Sequence, residues 1–170
     1  MQIIGSNAFI KTSIKTFSIP FHLKKIGIRA FQCTENLVNI EIPFNSELQE
    51  IGYYCFSNSS IEKFVIPRHL KIMISLMFIG CQNLRIVEVQ ENSELQIICK
   101  EAFKSSLIES FCVPKHVKRI DFGAFAQCKQ LQIVEFGDQS EIEWIDVLMF
   151  YELTETIIIV SVELKNRIDI

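Results

Sequence analysis

Seven phenylalanines recur at spacings that alternate between 22 and 25 residues: Phe9, Phe31, Phe56, Phe78, Phe103, Phe125 and Phe150. A fixed period of this length, held along the whole chain, marks a stacked repeat and not a domain built around one irregular core. Two alternating units together make a 47-residue superperiod. A second apolar column starts five or six residues after each Phe and has the form L-x-x-I-x-I. It reads Ile14/Phe17/Ile19, Leu37/Ile40/Ile42, Ile61/Phe64/Ile66, Leu84/Val87/Val89, Ile108/Phe111/Val113 and Leu131/Val134/Phe136. A seventh copy, Glu155/Ile158/Val160, has lost its first apolar residue. A third column, L-x-x-I, precedes the Phe: Leu23/Ile26, Leu48/Ile51, Leu70/Met73, Leu95/Ile98, Val117/Ile120 and Ile142/Ile145.

The spacing dictates local structure. Apolar residues alternate with period two in I-x-I, so this segment is a strand with one buried face. Proline follows it in four turns, at Pro20, Pro43, Pro67 and Pro114, where a fixed φ and a missing donor end the strand. The segment around Ala30-Phe31-Gln32-Cys33 is too short for a long helix and is expected to form a single helical or 3₁₀ turn. A turn of about 23 residues cannot bury its own apolar face; stacking on its neighbours does so.

Segments such as Leu37-Val38-Asn39-Ile40-Glu41-Ile42-Pro43 and Ile120-Asp121-Phe122-Gly123-Ala124-Phe125-Ala126-Gln127-Cys128 resemble the BspA-type leucine-rich repeats. The consensus of that family resembles L-x-x-I-x-I-P followed by V-x-x-I-G-x-x-A-F-x-x-C, and the likeness covers essentially the whole chain. It implies a leucine-rich-repeat horseshoe: a solenoid of about seven turns, with a parallel β-sheet on the concave face and short helical or 3₁₀ turns on the convex side. Residues 1–170 would form one such domain, uncapped at both ends. Departures are Gln90 and Gly137 at the proline position, and Ile74, Cys99, Asp121 and Asp146 at the I-G glycine. The last turn, through Leu164 and Arg167, also drifts. The resemblance further implies cell-surface adhesion or host interaction, with no catalytic centre and no cofactor.

Composition narrows the partners. A net charge of −3 gives no electrostatic footprint for nucleic acid. The apolar run Ile157 to Val160 is far too short to span a membrane. The first residues, Met1 to Gly5, do not read as a secretory signal, which points to an intracellular location or to a longer chain.

Two columns invite a chemical reading. His22, His69 and His116 lie 47 residues apart, and Glu47, Glu94, Glu141 and Glu163 take the same position in the other turns. With turns stacked about 4.8 Å apart, successive histidines fall about 9–10 Å apart and cannot share one metal ion. A solvated ladder of cross-turn pairs is expected instead, alongside the column Lys24, Gln49, Lys71, Gln96, Lys118, Glu143 and Lys165. Cys33, Cys81 and Cys128 stand two turns apart, beyond the roughly 7 Å reach of a disulfide. No C-x-x-C pair suggests zinc, so these thiols, with Cys55, Cys99 and Cys112, read as packing residues suited to a reducing compartment. No catalytic residue and no metal site emerge.

The outward strand positions remain. The middle residues of I-x-I are Ser18, Glu41, Val65, Glu88, Cys112, Glu135 and Ile159, and the row before them is Thr16, Asn39, Lys63, Ile86, Ser110, Ile133 and Ile157. Exposed apolar clusters usually mark contact. Val65, Ile86, Ile133, Ile157 and Ile159 are therefore the candidate partner-binding residues, with Glu88 and Glu135 tuning specificity. The expected function is a protein-interaction module, at the cell surface or alternatively as an intracellular scaffold binding through the same face. Open apolar edges also predict end-to-end association, cover by another protein, or a longer parent chain.

Overall fold

The computed structural model describes residues 2–137, 139–153 and 157–159. It is a parallel β-solenoid with two strands per turn. The long-strand series is β2 (Thr16–Ser18), β4 (Asn39–Glu41), β6 (Lys63–Ile66), β8 (Ile86–Val89), β10 (Ser110–Val113), β12 (Ile133–Phe136) and β14 (Ile157–Ile159). The short-strand series is β1 (Gln2–Ile4), β3 (Leu23–Ile26), β5 (Glu50–Ile51), β7 (Ile72–Met73), β9 (Ile97–Ile98), β11 (Arg119–Ile120) and β13 (Trp144–Ile145). Seven members of each series bound about six complete turns of ~23 residues.

Long strands pair as β2-β4-β6-β8 and β10-β12-β14, short strands as β1-β3-β5 and β7-β9-β11-β13, every pair parallel. The register puts equivalent repeat positions side by side, as in Phe64 beside Val87 and Phe111 beside Val134. The three apolar columns therefore meet inside. Phe31, Phe56, Phe78, Phe103 and Phe125 are fully buried, as are Leu37, Ile61, Leu84 and Ile108. Their rings stack, with Phe78 5.4 Å from Phe56 and 5.5 Å from Phe103 and nearly parallel to both. Phe9 and Phe150, the outermost members, are only half-buried.

The expected helical turn around each Phe is absent: among the described residues there is no helix. The reason lies in where the N–H groups go. In the first turn the Ala8, Ile10 and Thr12 N–H groups donate locally, three residues back, to the Gly5, Asn7 and Phe9 carbonyls. The alternate donors, Asn7, Phe9 and Lys11, reach across to the Ile28, Ala30 and Gln32 carbonyls of the next turn at 2.8–2.9 Å. A helix would claim every donor for itself; here half of them stitch the stack together. This needs left-handed backbone two residues before and two after the Phe, seen at Asn7 and Lys11, Arg29 and Cys33, and Glu101 and Ser105.

One departure from the repeat has a clear purpose. Gln90, at a proline position and nearly buried, accepts the Arg68 N–H (2.9 Å) and donates to the Pro43 carbonyl (3.0 Å). It ties its own turn to the two before it, a link that proline cannot make.

Candidate functional site

The I-x-I strands bury every second residue and turn the rest outward, so the predicted face exists. On it Ile86 is 51% exposed, Val65 and Ile133 are half-buried, and Glu88 and Glu135 are exposed. Lys63 sits beside Ile86 in the ladder and holds Glu88 at 2.6 Å, while Arg85 holds Glu109 at 3.1 Å. Backbone register sets Ile157 beside Ile133 and Ile159 beside Glu135. Val160, Glu163, Leu164, Lys165 and Arg167 lie outside the described residues.

A second outward face is not announced by the repeat pattern. The L-x-x-I segments are themselves strands, and their outward residue runs Ile3, Lys25, Glu50, Ile72, Ile97, Arg119 and Trp144 from turn to turn. At the N-terminal half of this face lies a groove of about 820 Å³. Its apolar lining is Ile28, Tyr53 and Ile72, 47%, 46% and 42% exposed, with Ile74 and the glycines Gly27 and Gly52. Lys25 and Glu50 cross it as an ion pair at 2.6 Å. Reading L-x-x-I only as two core residues hides this face; the signal available is the unbroken column of residues between them.

The histidine column forms cross-turn pairs: His22 Nδ1 lies 3.1 Å from Glu47, and His69 and His116 lie 2.9 Å from Glu94 and Glu141. The Glu47 and Glu141 carboxyls sit below their ordinary range, chiefly through the hydrogen bond to His22 or His116, with nearby lysine charge adding to it. A carboxylate held low in the folded state contributes stability above its ordinary pKa of 4.5, and that contribution fades as pH falls through the folded value. The double variant Glu47→Gln/Glu141→Gln is therefore expected to melt below the parent at pH ~6 and level with it near pH ~3. A gap that widened in acid would contradict the pairing.

Catalytic chemistry finds little support here. The buried Cys81 and Cys128 thiols are pushed up to about 12 and about 11 by loss of solvent, and their Sγ atoms donate to the Phe56 and Phe103 carbonyls. The exposed Cys112 is also shifted upward, by burial of part of its surface and by the Glu135 charge. Thiols held protonated are poor nucleophiles. Among the described residues no three His, Cys, Asp or Glu side chains gather where a metal could bind, and no helix is long and apolar enough to cross a membrane.

Comparison with known proteins fits this geometry. The family description "BspA type leucine rich repeat region" matches residues 2–132 and 96–169, in six copies. No curated protein sequence matches the chain. Among solved structures, a leucine rich cell surface protein from Faecalibacterium prausnitzii superposes with a TM-score of 0.60 at 22% identity, over 82% of this chain and 43% of that one. A leucine rich repeat protein of T. pallidum gives 0.54 at 26% identity, over 79% of this chain and 51% of the other. The chain thus spans about half the length of either protein.

Proposed function

Because the chain belongs to the BspA-type leucine-rich-repeat family, we propose that it is a non-catalytic module that binds a protein partner in the groove on its short-strand face. The observation that carries this is the contiguity of Ile28, Tyr53 and Ile72. Three large apolar side chains from three successive turns line one recess and stay more than two-fifths exposed. Recessed apolar surface with polar groups at its margin is what a partner's anchor residues fill. A second surface is favoured by Ile86, half exposed at the centre of the long-strand ladder. There Val65, Ile86 and Ile133 offer apolar contact, β14 with Ile157 and Ile159 follows next in the ladder, and Glu88 and Glu135 select a basic partner.

Adhesion at the cell surface is the role this reading favours, in keeping with the description of the F. prausnitzii structure as a cell surface protein. An intracellular scaffold is the alternative, favoured by six free thiols. Antibody staining of intact and permeabilised source cells separates them. Signal on intact cells is expected; signal only after permeabilisation would overturn the adhesion reading and leave the scaffold.

A further inference from the structure

The groove on the short-strand face stops where the repeat changes residue type. The position four residues before each Phe reads Gly5, Gly27, Gly52, Ile74, Cys99, Asp121 and Asp146 in turn order. Gly27 and Gly52 leave bare backbone along the groove, and Ile74 is the first residue at this position to bring a side chain. No residue beyond Glu94 lines the recess. The apolar surface of Ile28, Tyr53 and Ile72 is thus bounded at one end by Ile74, in the turn that also supplies His69 and Lys71 to the lining.

Each titratable side chain at that end of the groove has a cross-turn partner except one. Lys25 holds Glu50 at 2.6 Å, and His69 holds Glu94 at 2.9 Å. Lys71, exposed and next to Ile72, makes no ion pair among the described residues. Lys24 and Lys118 stand at the same repeat position and hold Glu47 at 3.7 Å and Glu143 at 3.2 Å. One residue sets Lys71 apart from Lys118: the following turn presents Gln96 where the other presents Glu143.

We propose that the partner segment bound in this groove carries an aspartate or glutamate next to a large apolar side chain. The apolar group packs on Tyr53 and Ile72, and the carboxylate pairs with Lys71. This selectivity rests on the reading of the groove as the partner's site and names what the groove selects. An apolar anchor that covers Ile72 also takes water from one side of the Lys71 ammonium. A neutral or basic neighbour leaves that charge stripped and unpaired, which costs free energy; a carboxylate gives it a partner. Discrimination therefore comes from the penalty on the wrong neighbour as much as from the pair itself.

Panning a random heptapeptide phage library on the whole chain tests this, with the peptides joined to the phage through their C-termini so that only side-chain carboxylates are on offer. Asp or Glu beside a large apolar residue is expected to be enriched about three-fold or more over the unselected library, the scale of one partly covered ion pair. Tyr53→Ala should abolish the enrichment, and Lys71→Glu should turn the preference to Lys or Arg. Lys118→Glu, at the same repeat position and outside the groove, should leave it unchanged. Circular dichroism checks that each variant is folded; Lys71→Gln, expected to lose the acidic preference and keep the apolar one, serves should the charge reversal fail to fold. Enrichment that depends on Tyr53 but shows no acidic preference, or keeps it in both Lys71 variants, would overturn the proposal and leave the groove as the partner's site. No enrichment dependent on Tyr53 would overturn both.

Discussion

Phe78→Ala is expected to cost roughly 3–5 kcal/mol and to lower the melting temperature by on the order of 10 °C. The ring is wholly buried, lies between Phe56 and Phe103 at 5.4 and 5.5 Å, and meets Phe64 edge-on at 4.8 Å. Turns rise by about 4.8 Å, so near-parallel rings with centroids this far apart are offset, the arrangement aromatic quadrupoles favour. Removing the ring takes away both stacking partners and leaves a cavity that the neighbouring turns, fixed by the backbone ladder, cannot close. Phe9→Ala is the control: half-buried, with Phe31 and Phe17 as its ring contacts, it should cost clearly less. Equal losses at the two positions, measured by chemical or thermal unfolding, would mean that stability does not reside in nearest-neighbour stacking.

Gly52→Ala is expected to destabilise at the upper end of the roughly 1–3 kcal/mol typical of overpacking. A Cβ built there would stand 2.5 Å from the Ile28 nitrogen and 2.7 Å from the Gly27 carbonyl carbon. These are backbone atoms of the preceding turn, so no side chain can swing aside. The same clash recurs one turn earlier, where a Cβ on Gly27 would meet the Ser6 nitrogen at 2.4 Å. The I-G glycine is thus a close-approach residue, not a flexible one. Gly5→Ala provides the contrast, since a Cβ there has nothing within 4 Å; it should be neutral or stabilise by about 0.4–1 kcal/mol through the unfolded chain. Gly52→Ala should melt clearly below the parent and Gly5→Ala at or above it, and a mild Gly52→Ala would show that the first turns do not pack this closely.

Phe78 and Gly52 differ in how plainly the sequence announces them. The Phe column is legible because a buried ring must recur at each turn, and its spacing alone sets turn length, stacking and parallel pairing. Ile86 is legible as outward-facing because period-two alternation fixes which side of a strand a residue takes. The Phe segment reads as a single helical or 3₁₀ turn because it is too short for a long helix. Nothing in Arg29, Tyr54, Leu76 or Glu101 announces left-handed backbone, which the inter-turn hydrogen bonds impose from outside. The groove escapes for a related reason. A strand of two residues such as Glu50–Ile51 has no alternation to detect, so Ile28, Tyr53 and Ile72 carry no local mark of sharing a surface.

Where a partner touches the solenoid separates groove binding from its alternatives, and site-specific photocross-linking in source cells measures it. A benzophenone side chain placed at Tyr53 samples the short-strand groove, and one at Ile86 samples the long-strand face. A third, at the exposed Gln130 in the turn before β12, samples a corner that belongs to neither. Cross-linked product from Tyr53, with none from Gln130, is the predicted result, and product from Ile86 as well would add the long-strand face as a second contact. Product from Gln130 alone, or equal product from all three positions, would contradict the claim that the chain binds its partner through the groove.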